Sequence, residues 1–318
     1  MLQNYTVKYL NKKYKIIDFM SLNYFAFSIS IVLLIISLMI ISLKGFYFGL
    51  DFTGGTVIEI TFSKLVNLDK IRENLMFYNH KKILIQYFGN VHNIIIRIPP
   101  NQILKNEKID QSIISIINKN IDNKAFLKRV EFVGPSVGDE LIKKGLIAIL
   151  SAFFGILIYV SVRFEWRLAF ATVITLIHDV IFILGILSLF KIEFDMTIIA
   201  SLMSVIGYSL NDSIVIFDRI RENFHKMHHI SSYMIVNISL TQTLKRTLIT
   251  SISTLLVISM LYIFGGVMLK GFSLVFLIGV IIGSISSIYV ASALVLIMGI
   301  KRKHLIPLKE DNNEYFLR

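Results

Sequence analysis

The sequence predicts a polytopic α-helical membrane protein with six transmembrane helices and a ferredoxin-like α/β domain inserted between the first two. Three observations carry this prediction. Of the 318 residues, 55% are apolar and only 17% charged, a balance too greasy for a water-soluble domain. Six apolar runs reach the roughly 20 residues that a helix needs to cross the hydrocarbon core. Between the first two runs, residues 44–144 change to the alternating pattern of half-buried strands.

The runs occupy residues 23–43, 145–162, 168–190, 196–217, 247–268 and 272–299. The first exceeds the roughly 7–15-residue apolar core of a signal peptide and lacks a small-x-small cleavage site, so it is expected to remain as an anchor. Orientation follows from basic residues in the short flanks. Lys8, Lys12, Lys13 and Lys15 precede the first run, and Arg163 and Arg167 separate the second from the third. Arg219, Arg221, Lys226, Lys245 and Arg246 separate the fourth from the fifth, and Lys301, Arg302 and Lys303 follow the sixth. The opposite short connections carry only Lys191 and Lys270. Residues 1–22 and 300–318 therefore read as cytoplasmic tails, 218–246 as a cytoplasmic loop, and 44–144 as a periplasmic domain. The net charge of +12 is accounted for by these flanks rather than by nucleic-acid binding. The absence of cysteine excludes disulfides, thiolate metal sites and cysteine catalysis.

Within the insert, Ile58, Ile60 and Phe62 alternate with Val57, Glu59 and Thr61 along a first strand. Residues 83–88 and 91–98 read as two more strands joined by a tight Gly89-Asn90 turn, and 128–133 as a last one. Helices are expected at 68–78 and through Ile109, Ile113, Ile116 and Ile117. The order β-α-β-β-α-β is that of a ferredoxin-like sandwich.

An ionisable side chain near a span centre costs about 2.5–3.5 kcal/mol on insertion scales, so each one is a functional candidate. His178 and Asp179 lie mid-way along the third run, Asn211 and Asp212 late in the fourth, and Arg246 opens the fifth. Asp212 admits two readings, an inert ion pair with Arg246 or a group that gains and loses a proton. His178 and Asp179 likewise read as a proton path or as interhelical hydrogen bonds. Ser201, Ser204, Tyr208 and Asn211 recur at helical spacing and define a stripe facing other helices or water. Gly279, Gly283, Ser287 and Ala291 form a small-xxx-small ridge suited to close packing. His225, His228 and His229 read as solvated loop histidines, and no hydrolytic or nucleotide-binding motif is present.

Several motifs then fall in one order. They are Gly49-Leu-Asp-Phe-Thr-Gly-Gly55, Val133-Gly-Pro-Ser-Val-Gly138, His178-Asp179, Ser204-Val-Ile-Gly-Tyr-Ser-Leu-Asn-Asp-Ser213 with Asp218-Arg-Ile-Arg-Glu-Asn223, Thr247-Leu-Ile-Thr-Ser251, Phe264-Gly-Gly266 and Ser286-Ser-Ile-Tyr-Val-Ala-Ser292. On these the chain resembles the SecF family, the smaller membrane subunits of the bacterial SecD/SecF protein-export complex in the resistance-nodulation-division superfamily. The resemblance implies a non-enzymatic subunit of the inner membrane without cofactor or metal. It implies SecD and the SecY/SecE/SecG channel as partners, YajC and YidC as further ones, and translocating preproteins as cargo. It also implies use of the proton motive force, with Asp212 as the proton-coupling carboxylate and Arg246 as the charge that tunes it. His178, Asp179, Asn211 and Tyr208 are then candidates for the proton path, and Asp51, Gly54 and Gly55 for a joint between span and domain. A proton-coupled exporter of small molecules or lipids, and a structural subunit without ion coupling, are the alternatives.

Overall fold

The computed structural model describes residues 16–63, 67–69, 71, 84–88, 90–98, 125–227 and 230–300. Among them are six helices long and apolar enough to cross a membrane. A 3-10 turn, Phe19–Leu22, leads into α1 (Asn23–Lys44), which is followed by β1 (Tyr47–Phe48) and the single-turn α2 (Leu50–Thr53). The insert contributes β2 (Gly55–Phe62), β3 (Leu84–Phe88), β4 (Asn90–Ile98) and β5 (Ala125–Val133). Then come α3 (Pro135–Arg163), α4 (Trp166–Leu189), β6 (Glu193–Phe194), α5 (Met196–Lys226), α6 (Ser232–Phe264) and α7 (Gly266–Ser286). A π-helical turn, Ser287–Ala291, joins α7 to α8 (Ser292–Ile297), so the sixth span is one rod with a wide turn near its end.

The helices run further than the apolar runs that announce them. Pro135 at the first turn starts α3 ten residues before the run at 145, so 135–144 belong to the second span's helix rather than to the insert. Residues 218–246, expected to be a loop, are almost wholly helix, because α5 continues to Lys226 and α6 begins at Ser232. The physical reason lies in the side chains. Glu222 pairs with both Arg219 and Lys226 at one-turn spacing, which sustains helix in water where apolarity no longer does. Ser231 caps the start of α6 by accepting from Met234 N, and Asn223 Nδ2 donates to Ser239 Oγ at 2.8 Å, tying the two extensions together.

In α4 and α5, 50% of the span window is buried, against 6% in α1, so those two helices form the centre and α1 lies at the lipid edge. One apolar core gathers Phe217, Ile220 and Phe224 of α5 against Leu168 of α4 and Ile235 and Val236 of α6. A second, at the other end of the spans, packs Ile183 and Leu187 against Ile198, Leu202 and Val275.

The insert is an antiparallel sheet in the order β3-β4-β2-β5, with its first and third strands central. Ile58, Ile60 and Phe62 of β2 and Ile94, Ile96 and Ile98 of β4 are all buried on one face, with Ile71. β4 begins at Asn90, so Asn90 is paired rather than part of the turn, and a bulge between Tyr87 and Phe88 absorbs the tighter connection. β5 begins at Ala125, three residues earlier than its apolar alternation suggests, because pairing with Phe62 extends it. Leu68, Asp69 and Ile71 apart, the helices expected at 68–78 and through 109–117 lie outside the described residues.

Candidate functional site

Two buried carboxylates occupy the helix bundle, and their surroundings differ. Asp179 of α4 is 1% exposed and has three partners. Its Oδ1 accepts from His178 Nδ1 at 3.1 Å, and its Oδ2 accepts from Ser209 Oγ of α5 at 3.0 Å and Ser286 Oγ of α7 at 2.8 Å. Gly283 makes this convergence possible, since a Cβ there would meet Ser209 at 3.1 Å and Asp179 Oδ2 at 3.8 Å. Adjacent in sequence, His178 and Asp179 thus meet side chain to side chain. The Asp179 carboxylate fixes the proton on Nδ1, and Nε2 is left buried without a partner among the described residues. That ring borders an apolar cavity of about 190 Å³ lined by Phe27, Ile31 and Leu34 of α1, Ile174 of α4 and Leu294 of α8.

Asp212, on α5, is 2% exposed and is served far less well. Ser284 Oγ of α7 lies 3.5 Å from its Oδ2. Ser284 in turn shares a 2.8 Å hydrogen bond with Ser251 Oγ of α6, which accepts from Tyr208 OH at 3.3 Å. A hydroxyl chain therefore runs from Tyr208 through Ser251 and Ser284 to Asp212 and touches α5, α6 and α7. Among the described residues Asp212 forms no direct ion pair with Arg246, which lies exposed on α6. The reading of the two as a contacting pair does not hold in this conformation. Asn211 is exposed beside Asp212, and Ser204 and Gly207 are exposed on the same helix, so the polar stripe of α5 reaches an open flank of the bundle.

The ridge on α7 packs against α5. A Cβ at Gly279 would run into the Val205 side chain, and Ser287 is fully buried, its Oγ donating to Ser284 O at 3.1 Å. Ser284 escaped the sequence reading, and Ser209 and Ser286 stood in it only inside longer motifs, with no contact assigned to them. Their signal was the ridge itself, because hydroxyls beside glycines at a close helix crossing must face the neighbouring helix.

The stretch from Asp51 to Gly55 is built as a bracket. Asp51 Oδ2 accepts from Met196 N at 2.9 Å, so it caps the first turn of α5 together with Asp195, whose Oδ1 accepts from Ile198 N at 2.9 Å. Asp51 therefore joins the first-span end of the insert to the helix that carries Asp212. Gly49 N donates to Phe194 O at 2.7 Å, and Phe48 and Phe52 pack on Phe194. Gly54 and Gly55 have φ of 66° and 123°, values that a side chain would strain.

Residues 113–301 match the family of the SecD/SecF protein export membrane protein C-terminal region, and residues 40–64 match the SecD/SecF GG motif. Relatives named Protein translocase subunit SecF include one from Escherichia coli O157:H7, 54% identical over 98% of this chain and 97% of its own length. Another, from Vibrio alginolyticus, is 47% identical over 93% of this chain and 94% of its own length. Among solved structures, SecDF of Thermus thermophilus, described as a translocon-associated membrane protein, superposes with a TM-score of 0.80 at 33% identity. The match covers 89% of this chain and 38% of that longer one. SecDF in a super-membrane-facing form superposes with a TM-score of 0.67.

Proposed function

The chain belongs to the SecD/SecF family of protein-export membrane proteins, and from that premise we propose that it is the SecF-type subunit of the protein translocase, driven by protons through Asp212. In this reading it lies in the bacterial inner membrane with both termini cytoplasmic and its insert periplasmic. SecD covers the open α5 and α6 flank, the SecY/SecE/SecG channel supplies the translocating preprotein, and YajC and YidC are accessory partners.

The observation that carries the proposal is the contrast between the two buried carboxylates. A buried anion is costly unless it is paired or well hydrogen-bonded. Asp179 has three donors from three side chains, whereas Asp212 has one hydroxyl at 3.5 Å and no contacting cation among the described residues. In this reading Asp179 is held in place by its partners, and Asp212 is the carboxylate that exchanges the proton. A proton arriving on Asp212 removes its attraction to Arg246 and its hold on the Ser284 hydroxyl. The hydroxyl chain then rearranges, and α5, α6 and α7 repack.

The bracket at Asp51 gives that motion a path outward, because the same helix that bears Asp212 is capped by the joint at its other end. The insert moves when α5 moves. One charge carried through 100 mV is worth about 2.3 kcal/mol, enough to shift a two-state equilibrium by more than about tenfold. The test is export of a secretory protein into membrane vesicles with and without a proton gradient. Asp212→Asn is expected to abolish the gradient-dependent part while the subunit still assembles; full gradient-dependent export by that variant would refute the proposal.

A further inference from the structure

We infer that Arg97 and Glu193 are positioning residues, forming a charged latch that holds the sheet of the insert on the turn from which the Asp212 helix starts. Arg97 lies on β4, in register with Val57 and Leu84 and between the buried Ile96 and Ile98. Alternation sends its side chain to the face opposite the apolar core. On that face, Glu59 and Lys128, Thr61 and Asn93, and Arg129 and Glu131 pair with one another within the sheet. Glu59 accepts from Lys128 at 2.7 Å, and Thr61 donates to Asn93 at 2.9 Å. Arg97 instead leaves the sheet. Its Nη2 donates to Glu193 Oε2 at 2.5 Å, and its Nη1 engages Oε1 of the same carboxylate.

The two side chains are 18% and 29% exposed, so the pair is shielded enough to matter and open enough to break. A two-pronged contact of this kind needs the planar guanidinium, which a lysine cannot reproduce. Glu193 belongs to β6, which pairs in parallel with β1, and lies two residues before the Asp195 cap of α5. Beyond the β1 pairing, residues 193–196 thus receive three ties. Gly49 and Asp51 provide two from the connecting stretch, and Arg97 provides one from within the sheet. The backbone joins the sheet to the helices at two points, through Gly54 before β2 and through Gly134 after β5. The Arg97–Glu193 pair adds a third point, on a different strand, and so fixes the tilt of the sheet about the other two. With the pair closed, displacement at the start of α5 is delivered to the sheet directly; with it open, the sheet is held only through the connecting stretch and its chain links.

The role as a transmitter rests on the proton-driven reading of Asp212, whereas the docking itself does not, and the experiment separates the two. The chain has no native cysteine, so a spin-label pair at His92→Cys and Phe190→Cys, both exposed, reports the distance from insert to bundle in the full chain in lipid nanodiscs. A hydrogen-bonded charge pair is strong enough that Arg97→Glu or Glu193→Arg alone should raise the undocked population about tenfold. The exchanged double variant, Arg97→Glu with Glu193→Arg, should return both the distance distribution and gradient-dependent export toward the parent, and Arg97→Lys should restore docking only in part. Distances unmoved by the single reversals, or a double variant that stays undocked, would overturn the latch. Undocking that leaves gradient-dependent export intact would overturn its role as a transmitter. Normal export by Asp212→Asn would instead strike the proton-driven reading and leave the distance result standing.

Discussion

Removing charge from the two buried carboxylates should have opposite consequences. Asp179 accepts from His178, Ser209 and Ser286, so its loss bears first on how α4, α5 and α7 hold together. Asp179→Leu takes the acceptor from Ser209 Oγ and the Nδ1 proton and leaves Ser286 Oγ only the Gly283 carbonyl at 3.1 Å. Interhelical hydrogen bonds in membranes average about 0.6 kcal/mol and charge-assisted ones reach about 1.5 kcal/mol, so three together are worth about 2–4 kcal/mol. Asp179→Asn is gentler. Its oxygen still accepts from His178, and the serine hydroxyls can rotate to accept from the new amide, so the loss should be about 1 kcal/mol or less. Denaturant titration of the purified subunit in mixed micelles measures both, and vesicle export measures the functional result. Asp179→Leu is expected to unfold early, while Asp179→Asn folds and exports nearly as the parent does. Asp212→Asn should show the reverse pattern, with stability kept and gradient-dependent export lost. If Asp179→Asn folds normally yet abolishes export as completely as Asp212→Asn, assigning the two carboxylates to different tasks is wrong.

Three further substitutions test particular joints. Gly55→Val forces a β-branched residue to a φ of 123° and should cost about 1–3 kcal/mol, impairing insert movement or folding while proton binding at Asp212 persists; equal loss of both would contradict the separation. Gly279→Val pushes into Val205 and should destabilise the α5–α7 crossing by about 1–3 kcal/mol, with Val205→Ala recovering part of the loss in the double variant. Glu165, in the short link between α3 and α4, has its carboxyl raised above the ordinary range, chiefly by burial, with Arg167 opposing that shift. A carboxylate whose folded value is raised binds more protons in the folded state, so its contribution to stability is present at low pH and is lost as pH rises through the folded value. Glu165→Gln should therefore flatten the fall in stability over that interval; an unchanged pH profile would show that the group does not contribute.

What could be read from the sequence divides along physical lines. Apolar run length found the six candidate spans among the described residues because crossing hydrocarbon is a constraint that each helix meets alone. It could not find helix ends, since α3 and α5 are prolonged by a proline start and by Glu222 pairs that no hydropathy window registers. Strand alternation found β2 and β4, where one face is buried, and missed the first residues of β5, which are strand only because Phe62 and Thr61 pair with them. The same limit governs the site. Asp212 and Asp179 were conspicuous as carboxylates within apolar runs, but sequence alone could not say which of them is satisfied. That depends on Ser209, Ser284 and Ser286, ordinary residues whose meaning comes from a helix crossing held close by Gly283. Asp51 shows the principle most clearly. In the sequence it is an acidic residue beside a pair of glycines at a membrane exit, and only the fold places the start of α5 against it. Its carboxylate holds one end of the helix whose other half carries the carboxylate proposed to titrate. In the proposed mechanism the charge that responds and the charge that transmits are thus on different elements, and α5 connects them.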